Sequence, residues 1–194
     1  MSSTGRGKRL GGTEDFYETP AWCVQRLLAR FEPPGERGGP WLEPAAGNGA
    51  IIKAVNERYG VSWQAIELRK ECRSALYEIV PERTFVTVGD FLTMEKFAYY
   101  PDIVITNPPY NLAEDFIRRS AKLFPTSMQI FLLRLNFLAS QKRQPWLSAW
   151  VPDVYVLPRR PAFKNGRTDS CEYAWFVWPS AEPRRYGKVE ILDL

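Results

Sequence analysis

The sequence contains no histidine and only three cysteines. The first absence removes imidazole general bases, Ser-His-Asp triads and most zinc sites together. Cys23, Cys72 and Cys171 are widely spaced and form no metal-ligand pattern, so no metal is expected. Long apolar runs are also missing. The richest stretch, Met128 to Ala139, is interrupted by Arg134 and Asn136 and falls short of the roughly 20 residues a membrane-spanning helix needs. It reads as buried core, and no membrane partner is expected. Met1 to Thr13 is small, polar and basic, without the apolar segment of a secretory signal, so a cytoplasmic location is the expectation. Any catalysis must run on carboxylates, amides, aromatics and a cofactor that brings its own reactivity.

What is present points to one domain. A chain of 194 residues with 45% hydrophobic residues suits a single packed core better than two. We expect a basic tail over residues 1–14 and one domain over 15–194. The formal net charge is +4, a mild positive balance that fits a nucleic-acid partner and is weak evidence alone. Its distribution says more. Arg6, Lys8 and Arg9 lie in the leading tail, Arg134, Lys142 and Arg143 in the later middle, and Arg159, Arg160, Lys164 and Arg167 near the end. With seven tryptophans and nine tyrosines, these groups suit a phosphate-contacting face as well as a solvated one.

Strand-like and helix-like segments alternate. Strands are expected at Trp41–Glu43, Ser62–Glu67, Thr84–Val88, Ile103–Thr106, Gln129–Leu133, Val154–Leu157 and Tyr173–Trp178. Helices are expected at Pro20–Phe31, Ala50–Tyr59, Lys70–Ile79, Ala113–Leu123 and Gln141–Ala149. Thr19 followed by Pro20 predicts an N-cap and first helical residue. Near-continuous apolar strands imply helices on both faces of a parallel sheet. The chemistry of such sheets sits beyond the carboxyl ends of the strands.

Four strand ends carry suitable residues. Glu43-Pro44-Ala45-Ala46-Gly47-Asn48-Gly49 is an acid followed by a small-residue loop that opens a helix. It is neither a dinucleotide fingerprint nor a phosphate loop. Glu43 repels phosphate and welcomes an ammonium or sulfonium group. Glu67 ends the next strand, where an acid can accept both ribose hydroxyls. Asp90 and Phe91 follow the third, suited to an adenine amino group and ring face. After the fourth comes Asn107-Pro108-Pro109-Tyr110. The prolines donate no N–H, so this loop offers acceptors: Asn107 Oδ1 and the Pro108 carbonyl can each take one hydrogen of a planar amino group. Tyr110 offers a stacking face.

These residues resemble the amino-methyltransferases, specifically the DNA adenine-N6 methyltransferases, whose hallmark [DNS]-P-P-[YFW] is matched by Asn107 to Tyr110. The resemblance extends to Glu43–Gly49, Glu67, Asp90–Phe91 and Phe16-Tyr17-Glu18-Thr19-Pro20. It implies a Rossmann-like three-layer fold: a mostly parallel seven-stranded sheet with a C-terminal antiparallel hairpin. It implies S-adenosyl-L-methionine as cofactor, with Tyr17, Thr19, Glu43, Ala45 and Gly47 on its methionine and ribose side, Glu67 at the ribose, Asp90 with Phe91 at its adenine, and Asn107 also among the cofactor-binding residues. Asn107, Pro108, Pro109 and Tyr110 are implied to hold the target base. Phe163-Lys164-Asn165-Gly166 resembles a hairpin that closes over it, with Arg159, Arg160 and Lys164 towards the nucleic acid.

The resemblance also implies in-line methyl transfer to an adenine flipped from the duplex, by a monomer or weak dimer. No large insert separates the motifs, so short or loose sequence preference is expected, as in a small phage-encoded enzyme. Four alternatives stay open: cytosine-N4, RNA adenine-N6 or protein glutamine-N5 methylation, and a non-catalytic cofactor-binding subunit.

Overall fold

A computed structural model of the chain describes residues 17–32, 39–164, 167–168 and 170–194. The basic tail expected over 1–14, Phe16, Asn165 and Gly166 lie outside the described residues.

The strands are β1 Trp41–Glu43, β2 Trp63–Glu67, β3 Val86–Val88, β4 Ile103–Thr106, β5 Met128–Arg134, β6 Asp153–Val156, β7 Ala162–Lys164, β8 Arg167–Thr168, β9 Tyr173–Trp178 and β10 Val189–Ile191. The helices are α1 Ala21–Arg30, α2 Ala50–Asn56, α3 Arg73–Ile79, α4 Ala113–Leu123 and α5 Gln144–Leu147. One sheet has the order β10-β6-β9-β5-β4-β1-β2-β3, and β7 pairs with β8 apart from it. All pairings in the large sheet are parallel except those of β9, which runs antiparallel between β5 and β6.

Alternation along the strands builds two cores. Trp41, Ala65, Ile103, Ile105, Ile130, Leu132 and Trp175 face one way, towards Val24, Leu27 and Leu28 of α1, Ile52 and Val55 of α2, and Leu76 of α3. Leu42, Ile66, Val104, Phe131, Leu133 and Phe176 face the other, towards Phe116 and Ile117 of α4. That is the three-layer arrangement read from the near-continuous apolar strands. Trp175 also anchors α1 by donating its indole N–H to the Cys23 carbonyl at 2.8 Å.

All seven expected strands form, within a residue or two at their ends. The count is corrected by an eighth sheet strand, β10, parallel to β6. Val189 and Ile191 are exposed on it, so it forms by backbone pairing and leaves little hydrophobic pattern to read. The helix expected over Gln141–Ala149 is shortened to the four residues of α5, with Pro145 in its first turn, where an absent N–H is tolerated. The expected cap also moves. Pro20 is the N-cap of α1 and no side chain caps it; the Thr19 hydroxyl is engaged elsewhere, by Asn107.

Candidate active site

The carboxyl ends of β1, β2, β3 and β4 converge on a cavity of about 770 Å³, within the usual range for small-molecule sites. The loop after β1 enters it on two left-handed residues, Gly47 at φ 54° and Gly49 at φ 76°. A side chain at Gly49 would also run into Ile79. Two backbone bonds fix the loop: Ala46 N–H donates to Ile66 O at 2.9 Å, and Gly49 N–H to Ala46 O at 2.8 Å.

Two acids share the floor and are held differently. Glu67 Oε2 accepts the Gly47 N–H at 2.7 Å. Its Oε1 accepts both the backbone N–H of Arg69, at 2.9 Å, and that residue's Nε, at 2.8 Å. A carboxylate offers about four acceptor positions, so Glu67 has room for one further donor at Oε2 rather than for two hydroxyls. Glu43 is buried, and its Oε2 has no hydrogen-bond partner. Burial, helped by the neighbouring Glu67 charge, pushes its carboxyl well above the ordinary range, and the Ile52 backbone amide pulls weakly the other way. A buried, unpaired carboxylate oxygen at a cavity wall is costly unless a donor or cation arrives.

The third acid, Asp90, accepts the Leu92 N–H at Oδ1 over 2.9 Å, closing the turn after β3. Phe91 beside it is buried, in ring contact with Phe97 and Phe116, while still lining the cavity.

At the end of β4 the Asn107 amide is oriented by its own hydrogen bonds. Its Nδ2 donates to Thr19 Oγ1 at 3.1 Å and to Tyr17 O at 3.3 Å. Its Oδ1 is buried and has no hydrogen-bond partner. The amide nitrogen is therefore committed to Tyr17 and Thr19, and the amide oxygen is left without a partner.

Beyond Asn107 the aromatics gather. Tyr110 lies 6.0 Å from Tyr17, 6.5 Å from Phe163 and 5.5 Å from Tyr173, centroid to centroid. Phe163 is 5.0 Å from Tyr173 and edge-on to it. The Arg134 guanidinium sits over the Tyr110 ring, 4.9 Å from its centroid, and its Nε donates to Tyr173 Oη at 3.2 Å.

The structure thus brings Tyr17, Thr19, Glu43, Ala45, Gly47 and Glu67 around the cavity. Asp90, Phe91, Asn107, Pro108 and Pro109 complete the same lining. Tyr110 and Phe163 stand outside it, in the aromatic group. Of the basic candidates, Arg159 lies over the Trp22 ring at 4.7 Å. Arg160 pairs with Glu172 at 2.5 Å. Lys164 is on β7, and its side chain lies outside the described residues.

Sequence reasoning missed Leu68, Arg69, Tyr173 and the contact of Arg134 with Tyr110. Leu68 lines the cavity while 60% exposed; an apolar residue directly after a strand-end acid was the available signal. Tyr173 and Arg134 meet because β9 sets them opposite each other across β5, and nothing local announces that pairing. Among the described residues no group of acids and cysteines could hold a metal ion, and no helix is long and apolar enough to cross a membrane.

No protein-family model matches the chain. Over 112 residues, 58% of its length, it is 30% identical to the Type II methyltransferase M.TthHB8I of Thermus thermophilus, and the match spans 24% of that relative. Among solved structures, a Listeria monocytogenes protein assigned to the class I S-adenosylmethionine-dependent methyltransferases superposes with a TM-score of 0.64 at 13% identity, covering 94% of this chain and 68% of that one. The 23S rRNA methyltransferase ErmE superposes at 0.57 and 17% identity, covering 87% and 71%. A modification subunit assigned to a type I restriction enzyme of Vibrio vulnificus does so at 0.58 and 13%, covering 89% and 46%. The fold is the one these class I S-adenosylmethionine-dependent methyltransferase structures share.

Proposed function

We propose that the chain is a methyltransferase that uses S-adenosyl-L-methionine and acts on the N6 amino group of adenine in DNA. The observation that carries this reading is the Asn107 amide. Its nitrogen is tied to Thr19 and Tyr17, and its buried Oδ1 is left as an acceptor.

The donor set fits the cofactor. The orphaned Glu43 Oε2 suits the ammonium of its amino-acid end, and the close approach at Gly47 admits its chain. Glu67 Oε2 has one acceptor position for a ribose hydroxyl, while the open oxygen of Asp90 and the Phe91 ring suit its adenine. When bound, the cofactor supplies an electrophilic methyl group.

The protein's part is positioning and polarisation. Asn107 Oδ1 and the Pro108 carbonyl accept the two hydrogens of the target amino group. That draws its lone pair out of ring conjugation and towards the methyl donor. Tyr110 holds the ring plane, and the proton lost on transfer passes to solvent, which is why a histidine-free site suffices. Similarity to a Type II methyltransferase and a mild positive charge both favour nucleic acid. The four-ring aromatic group favours a planar base over an aliphatic amide.

The test incubates the purified protein with labelled cofactor and unmethylated DNA, RNA and protein in parallel, then digests each and identifies the products by mass spectrometry. N6-methyladenine from DNA, abolished in Asn107→Ala, is the expected outcome. Label confined to RNA or protein overturns the substrate. Cofactor binding without transfer to any of the three overturns the activity.

A further inference from the structure

The last residue of β5 lies on the ring that the proposed function assigns to the target base. Arg134 is paired directly with Tyr173 of β9. That register brings its guanidinium over Tyr110 and lets its Nε reach the Tyr173 hydroxyl. A guanidinium is planar, weakly hydrated and well suited to an aromatic face. A purine asks the same of that face.

We propose that Arg134 is a placeholder for the target base: its guanidinium stacks on Tyr110 and leaves when an extrahelical adenine enters. The inference rests on the reading of Tyr110 as the base's stacking partner. Two features suit the exchange. Arg134 is half-buried, at the border between core and solvent, so its head group can reach water by rotating its own stem. It is also the strand's terminal residue and is followed by a short turn, Leu135–Phe137. The departing cation carries a fork of donors that fits a phosphate bidentately. Arg134 would therefore oppose the base while stacked and favour the nucleic-acid backbone once displaced. It is a positioning residue that couples base entry to phosphate contact.

The two roles predict effects of opposite sign. Binding of adenosine, a base without a polymer backbone, is measured calorimetrically in the presence of S-adenosylhomocysteine for wild type, Arg134→Ala and Arg134→Lys. Both variants should bind adenosine about threefold to tenfold more tightly, since neither offers a planar cation to the ring. On DNA, Arg134→Ala should raise KM and lower the salt dependence by about one phosphate contact, whereas Arg134→Lys should keep the wild-type slope. Weaker adenosine binding in both variants would make Arg134 a wall of the base site and overturn the proposal, as would unchanged binding of both adenosine and DNA. The adenosine measurement needs no turnover. A wild-type protein that methylates no nucleic acid sinks the proposed activity, while the placeholder is judged separately.

Discussion

The two walls of the site are built on different principles. On the side proposed for the cofactor, acids at the ends of β1, β2 and β3 are mostly fixed by backbone amides. Gly47 and Arg69 hold Glu67, Leu92 holds Asp90, and glycines keep side chains out of the way. The result is an open cavity. On the side proposed for the base, Tyr17, Tyr110, Phe163 and Tyr173 pack on one another under Arg134, with ring centroids 5.0 to 6.5 Å apart. That side is filled by its own rings. A wall made of backbone-anchored charge is formed before its ligand arrives, whereas one made of mutual side-chain packing must be rearranged. Asn107 stands at the junction and borrows from both: Tyr17 and Thr19 orient it, and the cavity receives it.

Breaking the junction should cost most. Asn107→Ala removes the acceptor that the proposed function assigns to the reacting amino group and should lower kcat by about 10²- to 10³-fold, the usual loss for one preorganised electrostatic contact in an active site. Binding of S-adenosylhomocysteine, measured by calorimetry, should change little. A comparable loss of cofactor affinity would mean that the two walls are not separable.

On the wall proposed for the cofactor, Glu43→Gln should weaken binding of S-adenosylmethionine about tenfold to a hundredfold, because a neutral amide replaces the carboxyl that the proposed function ionises against the cofactor's ammonium. The same substitution carries a pH signature. Burial raises the Glu43 carboxyl in the folded protein, so folding favours its protonated form. That contribution is fully present below the unfolded value of about 4.3 and is lost as pH rises towards the raised folded value. Thermal melts taken upward from the ordinary carboxylate range should show wild-type stability falling relative to Glu43→Gln. Parallel melting curves at all pH values would remove Glu43 as the strained member of the pair.

How far this comparison was legible in the sequence depends on the range of the interactions. The cofactor wall is local: each acid directly follows an apolar strand, and Gly47-Asn48-Gly49 advertises a turn that only small residues tolerate. The acceptor loop was equally plain, because two prolines after a buried strand remove donors by covalent structure alone. The bonding of those residues was less visible. Thr19 read as a helix cap and turned out to serve Asn107, a partner distant in sequence. The Arg134–Tyr173 pair depends on an antiparallel strand inserted between β5 and β6, a choice made by the whole sheet. β10 escaped because pairing on one side needs no hydrophobic pattern.

The Thr19 contact gives a smaller, sharper test of the junction. Thr19→Val keeps the shape of the side chain and removes the acceptor for Asn107 Nδ2. One neutral hydrogen bond is worth about 1 kcal/mol, so kcat should fall about fivefold, well short of the loss in Asn107→Ala. The cofactor dissociation constant should stay within about twofold of wild type. A loss expressed in cofactor affinity alone would place Thr19 on the cofactor wall and leave Asn107 held by Tyr17.

The mildest expected effect concerns Arg69, and it tests whether the cofactor wall owes its order to backbone or to charge. Arg69 Nε and Glu67 Oε1 form an ion pair at 2.8 Å, with the arginine side chain 29% exposed and the glutamate 4%. Partly exposed pairs of this kind contribute about 1 kcal/mol or less. In Arg69→Ala, Glu67 keeps two backbone donors, the amides of Gly47 and of residue 69. Those two bonds should hold the carboxylate in place, so cofactor affinity should weaken only about twofold to fivefold. The loss should shrink further at high salt, where screening has already weakened the ion pair in wild type. A drop as large as that of Glu43→Gln, insensitive to salt, would show that the guanidinium positions Glu67 and that this wall, like the aromatic one, is held by side chains.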